Sequence, residues 1–354
     1  MVTSVGNRNA NGNSMEMLGT SVTLAERTSY HDMNDSVQQH TKTTCDTRQA
    51  FQIEVPWDVH AFLGADSHVP QRDDTFRFVP DVTRALLLGF AHNRRVYLHG
   101  PHGSGKSSHI EQVAARLNWP CVRINLDGHI TRADLIGRDM VVLRDGKQVT
   151  EFVPGMLVWA MQRPMALIFD EYDAGRPDVM FVIQRVLESS GKLTLLDQNQ
   201  VITPHPDFRM FATANTAGQG DPSGLYSGTQ ALNQAQLDRW QVITQLDYMP
   251  ADQEETVLRS RLPCLAHDTV AAMVVFANLA RQAFAQGDLT SLISLRTLVS
   301  WGENAILLAD THEAMRLTFL NRCDETERPL VSEIYQRCFD VDLYQDSRHD
   351  SPLY

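Results

Sequence analysis

No stretch of the 354 residues approaches the roughly eighteen consecutive apolar side chains that a membrane-spanning helix needs, so none is expected. The amino terminus has no basic start followed by an apolar run, which argues against a secretory signal. Basic side chains are in deficit: 31 Lys and Arg stand against 43 Asp and Glu, a formal net charge of −12. A duplex-binding protein needs a basic face to displace counterions, so the balance argues against nucleic acid as the main partner. Cysteine pairs are missing too. Cys45, Cys121, Cys264, Cys323 and Cys338 are scattered with no CxxC among them, which suits reduced thiols in a cytoplasm better than a disulfide framework. Cys264 and His267 form a lone CxxH, with no second pair to complete the ligands of a zinc site.

Aromatic residues are nearly absent from the first fifty positions, where Tyr30 stands alone among Ser, Thr, Asn and Gln. Such a segment buries too little apolar surface to offset its ordering entropy, so residues 1–50 read as a flexible polar arm. Packing residues begin with Phe51, Val55, Trp57, Phe62 and Leu63, and 51–80 reads as an irregular lead-in segment laid on the core.

From Asp81 the pattern alternates. Asp81–Ala91 reads as a helix with Asp81 as N-cap, and Ser107–Leu117 as a second with Ile110, Val113, Ala114 and Leu117 on one face. Short apolar strands are expected at Arg95–His99, Cys121–Leu126, Ala166–Phe169, Met210–Ala214 and Val242–Leu246. Strands separated by helices imply a parallel sheet covered on both faces. After Pro250 only helical patterns remain, at Asp252–Arg259, Thr269–Gln286, Leu295–Ala309 and Glu333–Phe339. The expected fold class is therefore α/β over 81–249, with a small all-α domain over 250–340 and a tail over 341–354.

Gly100-Pro101-His102-Gly103-Ser104-Gly105-Lys106-Ser107 fits the phosphate-binding P-loop, preceded by a strand and followed by a helix that continues through Ser108. Glycines let backbone N–H groups turn toward phosphate, and the helix start adds about half a positive charge. Lys106 is expected on the β- and γ-phosphates of ATP, with Ser107 on Mg²⁺. Leu167-Ile168-Phe169-Asp170-Glu171 is an apolar strand ending in two carboxylates: Asp170 for Mg²⁺, Glu171 to orient and deprotonate water. Asp173 reads as a cap or a salt-bridge partner. Asn215 closes the strand Phe211–Asn215, where an amide can position the lytic water. Arg239 lies just before the last strand, where a helix end faces a neighbouring subunit. An arginine supplied there in trans is worth about 10³–10⁵ in rate in related chemistry. Arg296 opens a helix of the α domain and can reach the γ-phosphate from above.

In that order, these motifs resemble the MoxR-type branch of AAA+ proteins, and closely the family of ATPase subunits of aerobic cobaltochelatase. The specific runs are Gly89–Arg95, His109–Arg123 and Asp170–Ser189, extended by Gly224-Leu225-Tyr226 and Gln234–Trp240. The resemblance spans about Val55 to Phe339. It implies an AAA+ P-loop NTPase core with a lid domain, assembled as a hexameric ring. It also implies two partners, a large chelatase subunit and a subunit with a metal-ion-dependent adhesion (MIDAS) domain. Together they insert Co²⁺ into hydrogenobyrinic acid a,c-diamide on the way to cobalamin. Two insertions of such families are expected at Asp127–Leu157 and Leu193–Pro204. One departure stands out: the family's usual Ser-Pro-Arg is Ser294-Leu295-Arg296 here, which removes a rigid helix start. No cluster has ligand spacing for cobalt, and Asp221-Pro222-Ser223-Gly224-Leu225 begins like an adhesion-domain metal motif but stops short. The metal chemistry is thus expected on the partners. Three other readings stay open: a MoxR-type activase of another metalloenzyme, a non-hydrolysing ATP switch, and a DNA motor.

Overall fold

Apolar runs in the middle of the chain form one five-stranded parallel sheet, in the order β11-β3-β10-β7-β4. These strands are β3 (Val96–His99), β4 (Cys121–Asn125), β7 (Ala166–Asp170), β10 (Arg209–Ala214) and β11 (Val242–Gln245). The three inner strands are buried almost throughout, whereas β4 and β11 are partly exposed, as edges must be. The computed structural model describes residues 41–144, 146–220 and 228–343. Residues 1–40 of the polar arm expected over 1–50, residues 344–354 of the tail expected over 341–354, and residues 221–227, with the motifs Asp221–Leu225 and Gly224–Tyr226, lie outside the described residues.

The arm's last ten positions depart from expectation. β1 (Lys42–Thr44) pairs antiparallel with β2 (His60–Phe62), and between them runs α1 (Thr47–Phe51). The Asp46 carboxylate accepts hydrogen bonds from Arg48 N and Gln49 N, a helix cap that a polar composition hides. Phe51 is then buried, and Lys42 reaches Asp207 at 2.5 Å. Folded structure therefore begins before residue 50.

Two helices cover one face. α2 (Pro80–His92) starts one residue earlier than expected, because Pro80 presets the helical backbone; Val79 is the N-cap and Asp81 lies in the first turn. α3 (Lys106–Arg116) follows the Gly-rich loop. Leu86, Leu87, Ile110 and Val113 pack with Val96, Leu98, Ile168 and Phe211. Successive strand residues point to opposite faces, so Tyr97 and Phe169 lie on the other side. There Tyr97, Tyr172 and Trp240 meet ring to ring, with centroids 5.1–5.9 Å apart. The crossover to β7 carries α4 (Arg132–Ile136), a hairpin of β5 (Gly137–Arg144) and β6 (Lys147–Pro154), and α5 (Met156–Met161). After β7 come α6 (Pro177–Val186) and a second hairpin, β8 (Leu193–Leu195) with β9 (Gln200–Ile202). Both hairpins fall inside the expected insertions, and Gln198 Nε2 donates to Asp139 Oδ1 across them at 3.2 Å. The short α7 (Gln234–Leu237) precedes β11.

Five further helices form a second core: α8 (Ala251–Arg261), α9 (His267–Gln286), α10 (Leu295–Leu308), α11 (Thr311–Thr318) and α12 (Arg328–Phe339). The eight-residue α11, capped by Asp310, was not among the expected helices. α12 begins five residues before the expected start, with Pro329 in its first turn. At the domain's centre lies a desolvated ion pair. Arg281 donates to both oxygens of Glu254 at 2.7 and 2.8 Å, and through Nε to Ile293 O at 2.8 Å. The residues are 6% and 1% exposed.

His109 on α3 is also buried, between Phe76 and Phe78. Thr83 gives its one hydroxyl proton to Val79 O at 2.8 Å, so the His109 Nε2–H donates to Thr83 at 2.9 Å. Burial first, and Arg116 second, push the imidazole pKa down from 6.5 to about 3. Between those values the unfolded chain binds a proton that the folded chain refuses, so stability falls as pH falls from about 6.5. Between pH 7 and pH 5, His109 should remove about 2 kcal/mol. Denaturant titrations at both pH values should show wild type losing that much more than His109→Gln; parallel losses would contradict it.

Candidate functional site

The carboxyl ends of β3, β7 and β10 meet at one edge of the sheet, and the site is built there. β3 runs into the loop Gly100–Gly105. A Cβ on Gly100 would stand 2.0 Å from Leu246 O, and one on Gly103, at φ +76, 2.5 Å from the Ser294 Cβ. Glycine is required at both by close approach, once to the chain leaving β11 and once to the helical domain. Gly105 (φ 90) then opens α3.

Lys106 is only 8% exposed. Its Nζ donates to Gly100 O and Pro101 O, both at 2.9 Å, and to Asn215 Oδ1 at 3.1 Å. Burial lowers its pKa to about 8, against the opposing pull of Asp170, Asp173 and Glu171. The next residue, Ser107, donates through Oγ to Asp170 Oδ1 at 2.6 Å. The same carboxylate oxygen accepts the Thr213 hydroxyl, and Arg123 Nε lies 3.6 Å from Oδ2. Ser107 and Asp170 together offer only hard oxygen donors, the set that magnesium takes and soft metals do not.

Register explains the pairing. Phe169 stands beside Ala212, so Asp170 faces Thr213 on the neighbouring strand. Glu171 then leaves the sheet at φ 55, a left-handed conformation costing a non-glycine residue of the order of 1 kcal/mol. Its N–H points to Thr213 Oγ1 at 3.4 Å. Two residues on, the buried Asp173 side chain accepts from Asn215 N at 3.1 Å and from Thr216 N and Oγ1, both at 2.9 Å.

The chain between β11 and α8 touches the loop from the other side. Tyr248 donates its hydroxyl to His102 O at 2.9 Å, and the Arg281 guanidinium lies 4.5 Å from the Tyr248 ring centroid. Burial first, then the cations Lys106 and Arg296, hold the His102 imidazole below its usual pKa. α10 starts without a proline: Ser294 Oγ accepts from Thr297 N at 3.2 Å and Thr297 Oγ1 from Ser294 N at 3.4 Å. This capping box fixes the start that Leu295 seemed to surrender.

Of the residues expected from sequence, Gly100–Ser108, Asp170, Glu171 and Asn215 come together, and Arg296 is near enough to His102 to lower its pKa. Arg239 does not join them. Its Nε and Nη2 lie 2.8 and 2.6 Å from Glu188 Oε1, and Nη1 donates to Ala235 O. Thr213, Arg123, Tyr248 and Glu188 escaped sequence reasoning. A threonine two positions before Asn215 on a buried strand was the one available signal.

Residues 95–233 match the family described as AAA domain (dynein-related subfamily). The aerobic cobaltochelatase subunit CobS of Sinorhizobium sp. is 56% identical over 305 residues, covering 85% of this chain and 92% of that protein. The chain belongs to the CobS family. Like other AAA domains, its CobS-type core is a nucleotide-binding ATPase module, here followed by a helical domain. Midasin of Dictyostelium discoideum is 29% identical over 212 residues, 59% of this chain but 3% of midasin. The Thermotoga maritima RuvB Holliday junction branch migration motor aligns over 70% of both chains, at 13% identity and a TM-score of 0.42.

If Lys106 is the cation for nucleotide phosphates, Lys106→Ala should abolish ATP turnover and weaken ATP affinity at least about tenfold. Calorimetric titration with ATP and a phosphate-release assay check both; normal turnover would contradict the assignment.

Proposed function

We propose that this CobS-family chain is the ring-forming ATPase subunit of a cytoplasmic cobaltochelatase. It couples ATP hydrolysis to the insertion of Co²⁺, the substrate metal, into hydrogenobyrinic acid a,c-diamide in aerobic cobalamin biosynthesis. The ring is a hexamer, and its partners are a large chelatase subunit and a MIDAS subunit. The observation carrying this reading is the 56% identity to CobS over nearly the full length of both chains. The clustering of Lys106, Ser107, Asp170, Glu171 and Asn215 at one sheet edge supports it further.

Each side chain has a distinct task. Backbone N–H groups of Gly103–Ser108 and the start of α3 cradle the phosphates, and Lys106 turns from its carbonyl partners toward the β- and γ-phosphates. Ser107 and Asp170 would hold Mg²⁺, which when bound neutralises phosphate charge. Asn215 and Glu171 orient a water whose oxygen attacks the γ-phosphorus. Its proton passes to Glu171, and the bond to the β,γ-bridging oxygen breaks to release ADP. Arg296 approaches the γ-phosphate from the helical domain. Arg239 serves the nucleotide of the adjacent subunit, exchanging Glu188 for phosphate when the ring closes.

Reconstitution with the two partner subunits tests the assignment. The wild-type chain should support ATP-dependent cobalt insertion, followed by the absorbance of the corrin ring. Glu171→Gln should bind ATP, accumulate rings in the ATP state and support no insertion; unaltered hydrolysis in that variant would remove Glu171 from its role. Insertion at full rate without the chain would refute the function itself.

The trans arginine has its own test. Arg239→Ala should bind ATP nearly normally and hydrolyse it at least tens of times more slowly. Mixed with Lys106→Ala in rings verified to contain both, it should regain activity wherever an intact loop meets an intact arginine. A mixture no better than the average of its parts would mean that Arg239 does not act across the interface.

A further inference from the structure

Asp173 is buried to 1% exposure, yet no step of the proposed hydrolysis uses it. It sits in the 3-10 turn Tyr172–Ala174, two residues past Glu171. The neighbouring strand β10 ends at Ala214, where its ladder to β3 closes with Ala214 beside His99. Pairing with β7 has already stopped, at Ala212 beside Phe169. The next two backbone N–H groups, of Asn215 and Thr216, therefore have no strand to donate to. Buried amides need acceptors, and a single oxygen supplies them: Asp173 Oδ2 takes both, at 3.1 and 2.9 Å, together with the Thr216 hydroxyl at 2.9 Å.

Two more bonds hold the same spot. Tyr97 donates its hydroxyl to Thr216 O at 3.0 Å, and the Asp173 carbonyl accepts from Gln230 N at 2.8 Å. The chain leaving β10 is thus pinned to the turn that follows Glu171 and, through the Tyr97 side chain, to β3. Fixing Asn215 N fixes its Cα, and so limits where the amide can point. That amide oxygen lies 3.1 Å from Lys106 Nζ.

On the reading that Asn215 positions the attacking water, we propose that Asp173 is a positioning residue that holds Asn215 in its working orientation relative to Lys106 and Glu171. An anionic acceptor suits the task, since hydrogen bonds to a charged group are roughly twice as strong as neutral ones. One carboxylate can also take several donors from one side. Among the described residues, its other oxygen, Oδ1, has no hydrogen-bond partner. The amide of Asp173→Asn can turn its oxygen to the three donors, at the cost of the charge and of an NH2 group buried without an acceptor.

The test is a double-mutant cycle in the full chain, reading kcat and ATP affinity for Asp173→Ala, Asp173→Asn, Asn215→Ala and both double variants. Asn215→Ala should lower kcat about hundredfold. Asp173→Ala should approach that loss, and Asp173→Asn should lose about tenfold, each with ATP affinity within about threefold of wild type. A residue that acts through Asn215 has nothing left to lose once Asn215 is gone, so both double variants should match Asn215→Ala within about threefold. A capping role unrelated to catalysis would instead lower the melting temperature and leave kcat of the folded protein alone. Losses that multiply in the double variants, or a wild-type kcat in Asp173→Asn, overturn the proposal; should Asp173→Ala fail to fold, the asparagine arm decides alone. A wild-type kcat in Asn215→Ala would instead refute the role of Asn215 itself, and the inference with it.

Discussion

In a parallel sheet every strand ends at the same edge, and the rest of this molecule follows from that constraint. The strands contributing the Gly-rich loop, the two carboxylates and the terminal asparagine are far apart in sequence but adjacent in the order β3-β10-β7. Their last residues must therefore meet, and ligand sites of open α/β sheets form at such edges. What meets here is a buried ammonium with three acidic side chains around it. Burial depresses Lys106, and the carboxylates oppose the shift. The backbone carbonyls that accept from Lys106 are neutral, so an anionic phosphate oxygen would be the stronger acceptor.

The edge also explains why the second layer of the site is made of small polar residues. Thr213 sits beside Asp170 because of strand register, and it bridges the carboxylate to the Glu171 N–H. Asp173 takes over where the ladder stops. Neither touches a nucleotide in the proposed reaction. Both set the positions of groups that do, and outer partners of this kind decide how closely a site holds its geometry.

Much of this was legible in the sequence. The loop Gly100–Ser107 could be read because its glycines and lysine answer one local demand, the close approach of backbone to phosphate. Strand ends were read to within a residue or so, since β3, β7 and β10 are buried on both faces and mostly apolar. Other features escaped for physical reasons. Thr213 acquires its partner only through register with a strand some forty positions earlier, which no local pattern encodes. The start of α2 was misplaced because Pro80 outweighs Asp81 as a starting signal. The segment around Asp46 was read as part of an arm, since one cap and one buried Phe51 are lost in a polar average. Arg239 could be named from its place in the chain, but its ion pair with Glu188 is a tertiary contact.

The pair of Glu254 and Arg281 has a mechanical consequence. Sliding α8 along α9 would strand two desolvated charges, a cost that breaking one partner of a buried pair puts at about 3–5 kcal/mol. The helical domain is thereby stiff against internal shear. Its ties to the sheet domain are of another kind: the exposed contact of Arg261 with Asp73, and the packing of Ser294 against Gly103. Screened contacts like the first yield far more cheaply. Any displacement of the helical domain would therefore leave its interior unchanged and fall on the short stretch Asp247–Pro250 between β11 and α8. Tyr248 lies in that stretch, with its ring against Arg281 and its hydroxyl on the Gly-rich loop. The stretch that would take up such a displacement is thus bonded directly to the Gly-rich loop.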